Sequence, residues 1–218
     1  MSSTDMVAPT SGWRQLQYFF DSKLHVRLES IIVLVVLGVA MSVLSPYFLS
    51  VSNFLNILLA TSTIGVLAIG TTLILCSGGL DLSIGSILGL SGVVGAYLCV
   101  ELEWPWFMAI VGSLGAGALA GFVNGQFITR LRIPAFIVTL GMLGIARGIG
   151  LIIAPNGGAI YGLPGPVIYL GQGRPLGIPS PVIILAIAAF LSHYLLAYSR
   201  FGWHTLAIGD NESASRAT

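Results

Sequence analysis

Apolar residues in this chain form six long blocks separated by short polar or Gly- and Pro-rich connections. The blocks lie at about residues 30–49, 54–76, 84–100, 106–128, 134–154 and 180–198. Each is close to the length of about 20 residues that a helix needs to cross a hydrocarbon core. Unpaired backbone amides are not tolerated in lipid, and the blocks lack the alternation of barrel strands. The pattern predicts an all-α, polytopic transmembrane helical bundle with about six membrane-spanning helices.

The composition agrees with this prediction and excludes two other classes of protein. Hydrophobic residues make up 56% of the chain and charged residues only 8%, whereas a soluble domain carries about 25% charged residues. A soluble enzyme is therefore not expected. The formal net charge of +1 gives no basic field to attract nucleic acid, so nucleic-acid binding is not expected either.

The distribution of charge predicts an orientation in the membrane. Basic residues precede the first block and follow the fourth and the sixth: Arg14, Lys23, Arg27, Arg130, Arg132 and Arg200. Glu101 and Glu103 lie on the opposite side, and only Arg174 breaks the pattern. The positive-inside rule then places the N-terminus in the cytoplasm. We expect a cytoplasmic extension over residues 1–30, a transmembrane domain over 31–198 and a cytoplasmic segment over 199–218.

The fourth block carries four small residues in strict steps of four: Ser113, Gly117, Gly121 and Gly125. This spacing places them on one face of a helix, where another helix can approach closely. The sequence therefore predicts a helix-packing face. The alternative is that the same face lines a transport pathway.

The segment CSGGLDLSIGS, Cys76 to Ser86, places Asp81 and Ser83 between two apolar blocks. A carboxylate at membrane depth is costly unless it is paired or hydrated, and such residues often mark a pathway, a gate or a structural cap. One hypothesis is that Asp81 caps a helix beginning near Leu82, with Gly78 and Gly79 forming the turn. The other is a direct role in substrate passage or gating, and the two roles are compatible.

Two further polar residues lie within apolar blocks. Arg147 is surrounded by glycines in the fifth block, where its guanidinium must reach an interface, pair with a carboxylate or face a hydrated cavity. Asn124, near the end of the fourth block, is placed to contact a polar substrate or to form an interhelical hydrogen bond. We group Asp81, Ser83, Asn124 and Arg147 as candidates for a substrate pathway or gate.

The sequence lacks the motifs of a catalytic site. It contains no Gly-rich phosphate loop, no metal-binding His pair and no Ser, His and Asp set in a soluble region. Cys76 and Cys99 have no Cys or His at metal-ligand spacing and are interpreted as small apolar residues. No metal or cofactor is therefore expected in this chain, and any ATP would be hydrolysed by another polypeptide.

Two long segments resemble the membrane-spanning permeases of bacterial ATP-binding cassette importers for monosaccharides of the ribose, xylose and galactose type. They run from Val51 to Gly92, including the SGGLDLS core, and from Asn124 to Ile153, including PAFI, TLGM and ARG. The resemblance implies a homodimeric permease in the bacterial inner membrane that moves a monosaccharide. It also implies a cytoplasmic cassette ATPase, which uses ATP, and a periplasmic sugar-binding protein as partners.

The stretch AIGDNESASRA, Ala207 to Ala217, resembles the cytoplasmic coupling segment of that family. The resemblance assigns ATPase coupling to Gly209, Asn211, Glu212 and Arg216. Asp210 and Ser215 depart from the family pattern, in which Gly and Ala are common. The chain stops at Thr218, although family members usually continue through further membrane helices, so we expect a truncated permease.

Two other functions stay open at this point. A branched-chain amino-acid permease of the same superfamily would share the helical layout. An ion-coupled secondary transporter would work without an ATPase and use Asp81 as a proton or sodium site.

Overall fold

The structure is a computed structural model that describes residues 30–157 and 159–215. The described part of the chain is helical and contains no strand. The helices are α1 (Ser30–Leu44), α2 (Val51–Cys76), α3 (Ile84–Val100), α4 (Trp106–Thr129), α5 (Ala135–Ile153), α6 (Gly165–Gln172), α7 (Ser180–Tyr198), α8 (Arg200–Asp210) and α9 (Glu212–Ser215). Short 3₁₀ turns occupy Pro155–Gly157 and Pro175–Gly177.

The prediction of a polytopic helical membrane protein is confirmed. Helices α2, α4, α5 and α7 contain 26, 24, 19 and 19 residues and are long and apolar enough to cross a membrane. Helix α1 and the 17-residue α3 are also apolar but shorter. At 1.5 Å per residue α3 spans about 26 Å, close to the thickness of a hydrocarbon core.

The predicted blocks coincide with α1 to α5 and α7, with one clear difference in the first. The first block was expected to continue to residue 49, but α1 ends at Leu44 and is followed by turns. Pro46 is the physical reason, because the residue before a proline is disfavoured in the helical conformation. Helix α2 then begins at Val51, and the Ser50 hydroxyl accepts the Asn53 amide at 3.2 Å as an N-cap.

The chain forms two compact units, residues 1–54 and 55–218. In the described part of the first unit, α1 is stabilised locally by the Ser42 hydroxyl, which donates to the Gly38 carbonyl at 2.7 Å. The Asn53 side-chain amide donates to the Phe48 carbonyl at 2.9 Å and closes the turn before α2. The predicted cytoplasmic extension, residues 1–30, lies outside the described residues except for Ser30.

In the second unit, α3 and α4 pack closely through small residues. The Ser113 hydroxyl on α4 donates to the Ser91 carbonyl on α3 at 2.7 Å. A methyl group added to Gly95 would lie 2.9 Å from Ser113 Cβ, and one added to Gly117 would lie 2.9 Å from Ser91 Oγ. The two backbones therefore come together only because these positions lack larger side chains.

Helix α5 packs on the other side of α3, also through small residues. Ala146 is fully buried and Thr139 is nearly so. Gly150 is buried as well, and a methyl group added there would lie 3.9 Å from the Leu90 Cα atom of α3. Helix α3 is thus held between α4 and α5.

The Gly- and Pro-rich connection between α5 and α7 contains the short helix α6. Pro164 precedes it with an extended conformation (φ −67°, ψ 151°), and Pro105, Pro134 and Pro179 similarly precede α4, α5 and α7. The Ser180 hydroxyl at the start of α7 lies 2.8 Å from the Tyr169 carbonyl and 3.0 Å from the Leu170 carbonyl. Ser180 therefore ties the end of α6 to the start of α7.

Helix α8 follows α7 after a tight turn at Ser199. The Ser199 hydroxyl accepts the Gly202 amide at 3.1 Å, which caps α8 at its N-terminus. Any Cβ atom on Gly202 would overlap the backbone carbonyl of Leu196. The direction in which α8 leaves α7 therefore depends on glycine at this position.

Large apolar side chains point outward and small residues lie inside, the reverse of a water-soluble protein. The buried hydrophobic residues of the described chain are Leu90, Ala109, Ala120, Ala146 and Ala154. By contrast, Ile152 is 84% exposed, and exposed Leu, Ile, Val and Phe side chains occur on every long helix. This arrangement suits lipid, in which helices associate through close packing of small residues.

The contact between α3 and α4 gives a stability prediction. Gly117→Ile would force a branched side chain against Ser91 and Ile87, which is expected to cost about 1–3 kcal/mol because packed interiors resist added volume. Gly115→Ile is the matched control, since nothing lies within 4 Å of a methyl group at Gly115. Melting in detergent should occur at a lower temperature for Gly117→Ile than for the control, and equal melting would contradict the packing.

Candidate functional site

The turn predicted at Gly78 and Gly79 ends α2 with a specific hydrogen-bond pattern. The Gly78 amide donates to the Leu75 carbonyl at 2.9 Å and the Gly79 amide donates to the Ile74 carbonyl at 3.0 Å. This pair of bonds is the Schellman motif, which needs a left-handed residue after the helix. Gly78 supplies it with φ +76°, a conformation that glycine adopts without steric cost.

The Asp81 carboxylate organises the start of α3. Its Oδ1 atom accepts the Ser83 amide at 2.7 Å and the Ser83 hydroxyl at 2.6 Å. Helix α3 begins at Ile84, two residues after Leu82, and Ser83 is its N-cap residue. Asp81 therefore lies two residues before the N-cap and satisfies the amide of that residue, which is an Asx-type turn.

Asn124 connects this turn to α4. Its side-chain nitrogen donates to the Ser83 hydroxyl at 3.0 Å, and only 4% of Asn124 and none of Ser83 is exposed. The Ser83 proton is already donated to Asp81, so the hydroxyl oxygen must act as the acceptor from Asn124. Asp81, Ser83 and Asn124 thus form one chain of hydrogen bonds, which we call the polar cluster.

One atom of the polar cluster has no partner. Asn124 Oδ1 is buried and accepts no hydrogen bond from the described residues. Leaving a buried acceptor unpaired costs about 1–3 kcal/mol, so the unpaired state of Asn124 Oδ1 needs a structural or functional reason. Asn124 forms the interhelical hydrogen bond considered from the sequence, while contact with a substrate stays a prediction.

Arg147 is exposed on the surface of α5. It lines a groove of about 440 Å³ between α3 and α5, together with Gly85, Ser86 and Gly89 of α3 and Gly150 of α5. No carboxylate pairs with Arg147 within residues 30–157 and 159–215. Of the three environments considered for this guanidinium, the structure places it at an open groove, and its pathway role stays a prediction.

The stripe on α4 divides into two halves. Ser113 and Gly117 face α3, whereas a methyl group on Gly121 or Gly125 would have no neighbour within 4 Å. The buried stripe continues instead through Ala120 to Asn124, because 3.6 residues per turn shifts a spacing of four around the helix. A packing role for Gly121 and Gly125 therefore stays a prediction.

The predicted coupling residues have distinct surroundings. Gly209, in the last turn of α8, lies against the end of α2, where a Cβ atom would overlap the Cys76 carbonyl. Asn211 caps α9, its side-chain oxygen accepting the Ala214 amide at 3.0 Å. Glu212 is the exposed first residue of α9, and Arg216 lies outside the described residues.

Sequence reasoning missed the contact between Gly209 and the turn at Gly78, and it missed the groove beside Arg147. The small residues Gly85 and Gly89 were a usable signal for the groove, because their spacing places them on one helix face. The described residues contain no group of three or more His, Cys, Asp or Glu side chains placed to hold a metal.

Comparison with known proteins gives a family match over most of the chain. The family described as "Branched-chain amino acid transport system / permease component" matches residues 53–218. No solved structure matches the chain.

Three curated relatives illustrate the similarity. The ribose import permease protein RbsC of Escherichia coli (strain K12) is 36% identical over 208 residues, covering 91% of this chain and 62% of that protein. The L-arabinose ABC transporter permease protein AraH of Azospirillum brasilense is 35% identical, covering 85% and 54%. The D-allose transport system permease protein AlsC of Escherichia coli (strain K12) is 33% identical, covering 79% and 53%. The chain thus spans less than two thirds of their length.

The polar cluster gives a prediction for two substitutions of Asp81. Asp81→Ala removes the acceptor for both Ser83 donors and is expected to destabilise the unit by about 1.5–3 kcal/mol, as for a hydrogen bond to a charged group. Asp81→Asn keeps an oxygen acceptor at the same place and should cost less. Thermal melting in detergent compares the two variants, and equal losses would contradict the assigned role of the Oδ1 atom.

Proposed function

The chain belongs to the family described as branched-chain amino acid transport system / permease component, and within it we propose that the chain is a permease subunit of an ATP-binding cassette importer for a monosaccharide. The observation that carries the proposal is the similarity to sugar permeases over up to 91% of the chain. These relatives are described as permeases for ribose, arabinose and allose. The proposed substrate class is therefore a monosaccharide, and the proposed location is the bacterial inner membrane.

The groove between α3 and α5 is the proposed surface of the sugar pathway. Its walls combine glycine backbone, the Ser86 hydroxyl and the Arg147 guanidinium, so it offers hydrogen-bond donors in an otherwise apolar surface. A guanidinium has five N–H donors and no acceptor, which suits contact with several hydroxyl oxygens. The absence of tight side-chain packing at Gly85 and Gly89 leaves room for passage.

The proposed partners are the other subunits of such importers. A cytoplasmic ATPase would bind the segment that ends α8 and forms α9, where Glu212 is exposed. A periplasmic binding protein would deliver the sugar, and a second copy of the permease would complete the pathway. The outward-facing apolar side chains of the long helices would contact lipid or that second copy.

The proposed orientation has the N-terminus in the cytoplasm. It is supported by the contact of Gly209 with the turn at Gly78, because the charge pattern assigns both segments to the cytoplasmic side. ATP-driven closure of the ATPase pair would then move these segments and shift the permease between outward-open and inward-open states.

A second candidate function is import of a branched-chain amino acid, which the family description favours. An amino acid carries a carboxylate that would pair with Arg147, whereas a neutral sugar would only accept its hydrogen bonds. Transport assays with binding proteins loaded with sugar or amino acid separate the two candidates.

The main test is ATP hydrolysis by the assembled complex. The chain is co-purified from membranes with a cassette ATPase, and hydrolysis is measured with and without sugar-loaded binding protein. We expect stimulated hydrolysis, because substrate delivery shifts the complex toward the hydrolysing state. A full-length relative assayed in parallel is the positive control. Failure of this chain to bind the ATPase, with success of the relative, would contradict the proposal for this chain.

Arg147 gives a second prediction for the same system. Arg147→Gln is expected to lower uptake of labelled sugar about tenfold, equivalent to about 1.4 kcal/mol, through loss of charge-assisted hydrogen bonds. Ile152→Ala, an outward-facing change on the same helix, is the matched control and should leave uptake unchanged. Equal uptake by both variants would remove Arg147 from the pathway.

A further inference from the structure

Within the second unit, helix α8 packs against the ends of α7 and α2 through a face of small residues. Gly202 and Thr205 are buried, and Gly209 lies one to two turns further along the same face. The large side chains Phe201, Trp203 and Leu206 are 57%, 70% and 44% exposed. The helix therefore rests on the unit through its backbone and presents its larger side chains elsewhere.

The contact at Gly209 joins backbone to backbone. A methyl group added to Gly209 would overlap the Cys76 carbonyl oxygen and lie 3.3 Å from the Gly78 nitrogen. Reciprocally, a methyl group added to Gly78 would lie 3.6 Å from the Gly209 Cα atom. No flexible side chain lies between the two segments, so neither can accommodate added volume by a rotamer change.

The Gly78 side of this contact continues into the polar cluster. Gly78 is fixed by φ +76° and by the two hydrogen bonds that end α2. Three residues later Asp81 holds the Ser83 amide and hydroxyl, and Ser83 accepts the Asn124 side chain of α4. Only the four residues 79–82 separate Gly78 from Ser83, the N-cap residue of α3.

We propose that Gly209 and Gly78 are positioning residues that form a backbone junction, through which the coupling segment moves the start of α3 and the polar cluster. This role rests on the proposed function, because it assumes that a partner ATPase acts on the segment following α8. In this role Gly209 transmits motion within the permease, in addition to any contact with the ATPase. It also gives Asp81 a mechanical role that needs no contact with the sugar.

Gly209→Ala tests the junction, because the disruption expected here is opposite in sign to the usual stabilising effect of this substitution in a helix. In a free helix this substitution is stabilising, because glycine loses more conformational freedom than alanine when a helix forms, so a disruptive result reports the contact with Cys76 and Gly78. Gly115→Ala on α4 is the matched control, since a methyl group there meets nothing within 4 Å.

The first readout is thiol labelling, which does not depend on transport. Cys76 is the last residue of α2, and its backbone carbonyl is the group that a Cβ atom on Gly209 would overlap. Cys99 lies near the far end of α3, and both cysteines are free. In detergent-solubilised chain, Gly209→Ala is expected to raise the rate of maleimide labelling of Cys76 several-fold and to leave Cys99 unchanged. Unchanged labelling of Cys76 would overturn the junction.

The second readout is ATP hydrolysis by the complex with the ATPase and the sugar-loaded binding protein. Gly209→Ala is expected to lose at least half of the stimulation by loaded binding protein, whereas Gly115→Ala is expected to keep it. Full stimulation in a variant with raised Cys76 labelling would overturn the transmission role. If the unaltered chain shows no stimulation, both the proposed function and the transmission role are contradicted. The labelling of Cys76 then still shows whether the contact between Gly209 and Gly78 exists.

Discussion

The close approach of α3 to α4 determines where the polar cluster lies. In lipid, apolar side chains gain nothing by moving from hydrocarbon to a helix interface, so association depends on close backbone contact. Ser91 and Gly95 on one helix, with Ser113 and Gly117 on the other, provide that contact. The same approach brings Ser83 within hydrogen-bond distance of Asn124.

The polar cluster explains how a carboxylate is accommodated beside apolar helices. Asp81 accepts two hydrogen bonds from Ser83, and Asn124 completes the chain. These bonds satisfy the amide at the start of α3, which would otherwise be unpaired. The cluster also lies beside the turn that contacts α8, so the structural role of these three residues and their proposed functional role concern the same part of the fold.

Local patterns predicted the helices well because a membrane span is a long apolar run bounded by Pro, Gly or charge. The apolar block predicted the start of α3 at residue 84, but nothing in the sequence distinguishes Asp81 as the cap from Asp81 preceding the cap. The Schellman turn was foreseeable from Gly78 and Gly79. The contact of Gly209 with Gly78 was not, because residues so far apart in sequence leave no local signal of their proximity.

In the proposed permease, the coupling segment, the turn at Gly78 and the start of α3 would act together to move a sugar, and ATP hydrolysis by a partner subunit would drive that movement. The most direct measurement is uptake of labelled ribose into proteoliposomes containing the chain, a cassette ATPase and the binding protein. An ATP-driven permease is expected to give uptake that requires ATP and continues without ion gradients. Uptake driven by a proton or sodium gradient in the absence of ATP would contradict the proposed function.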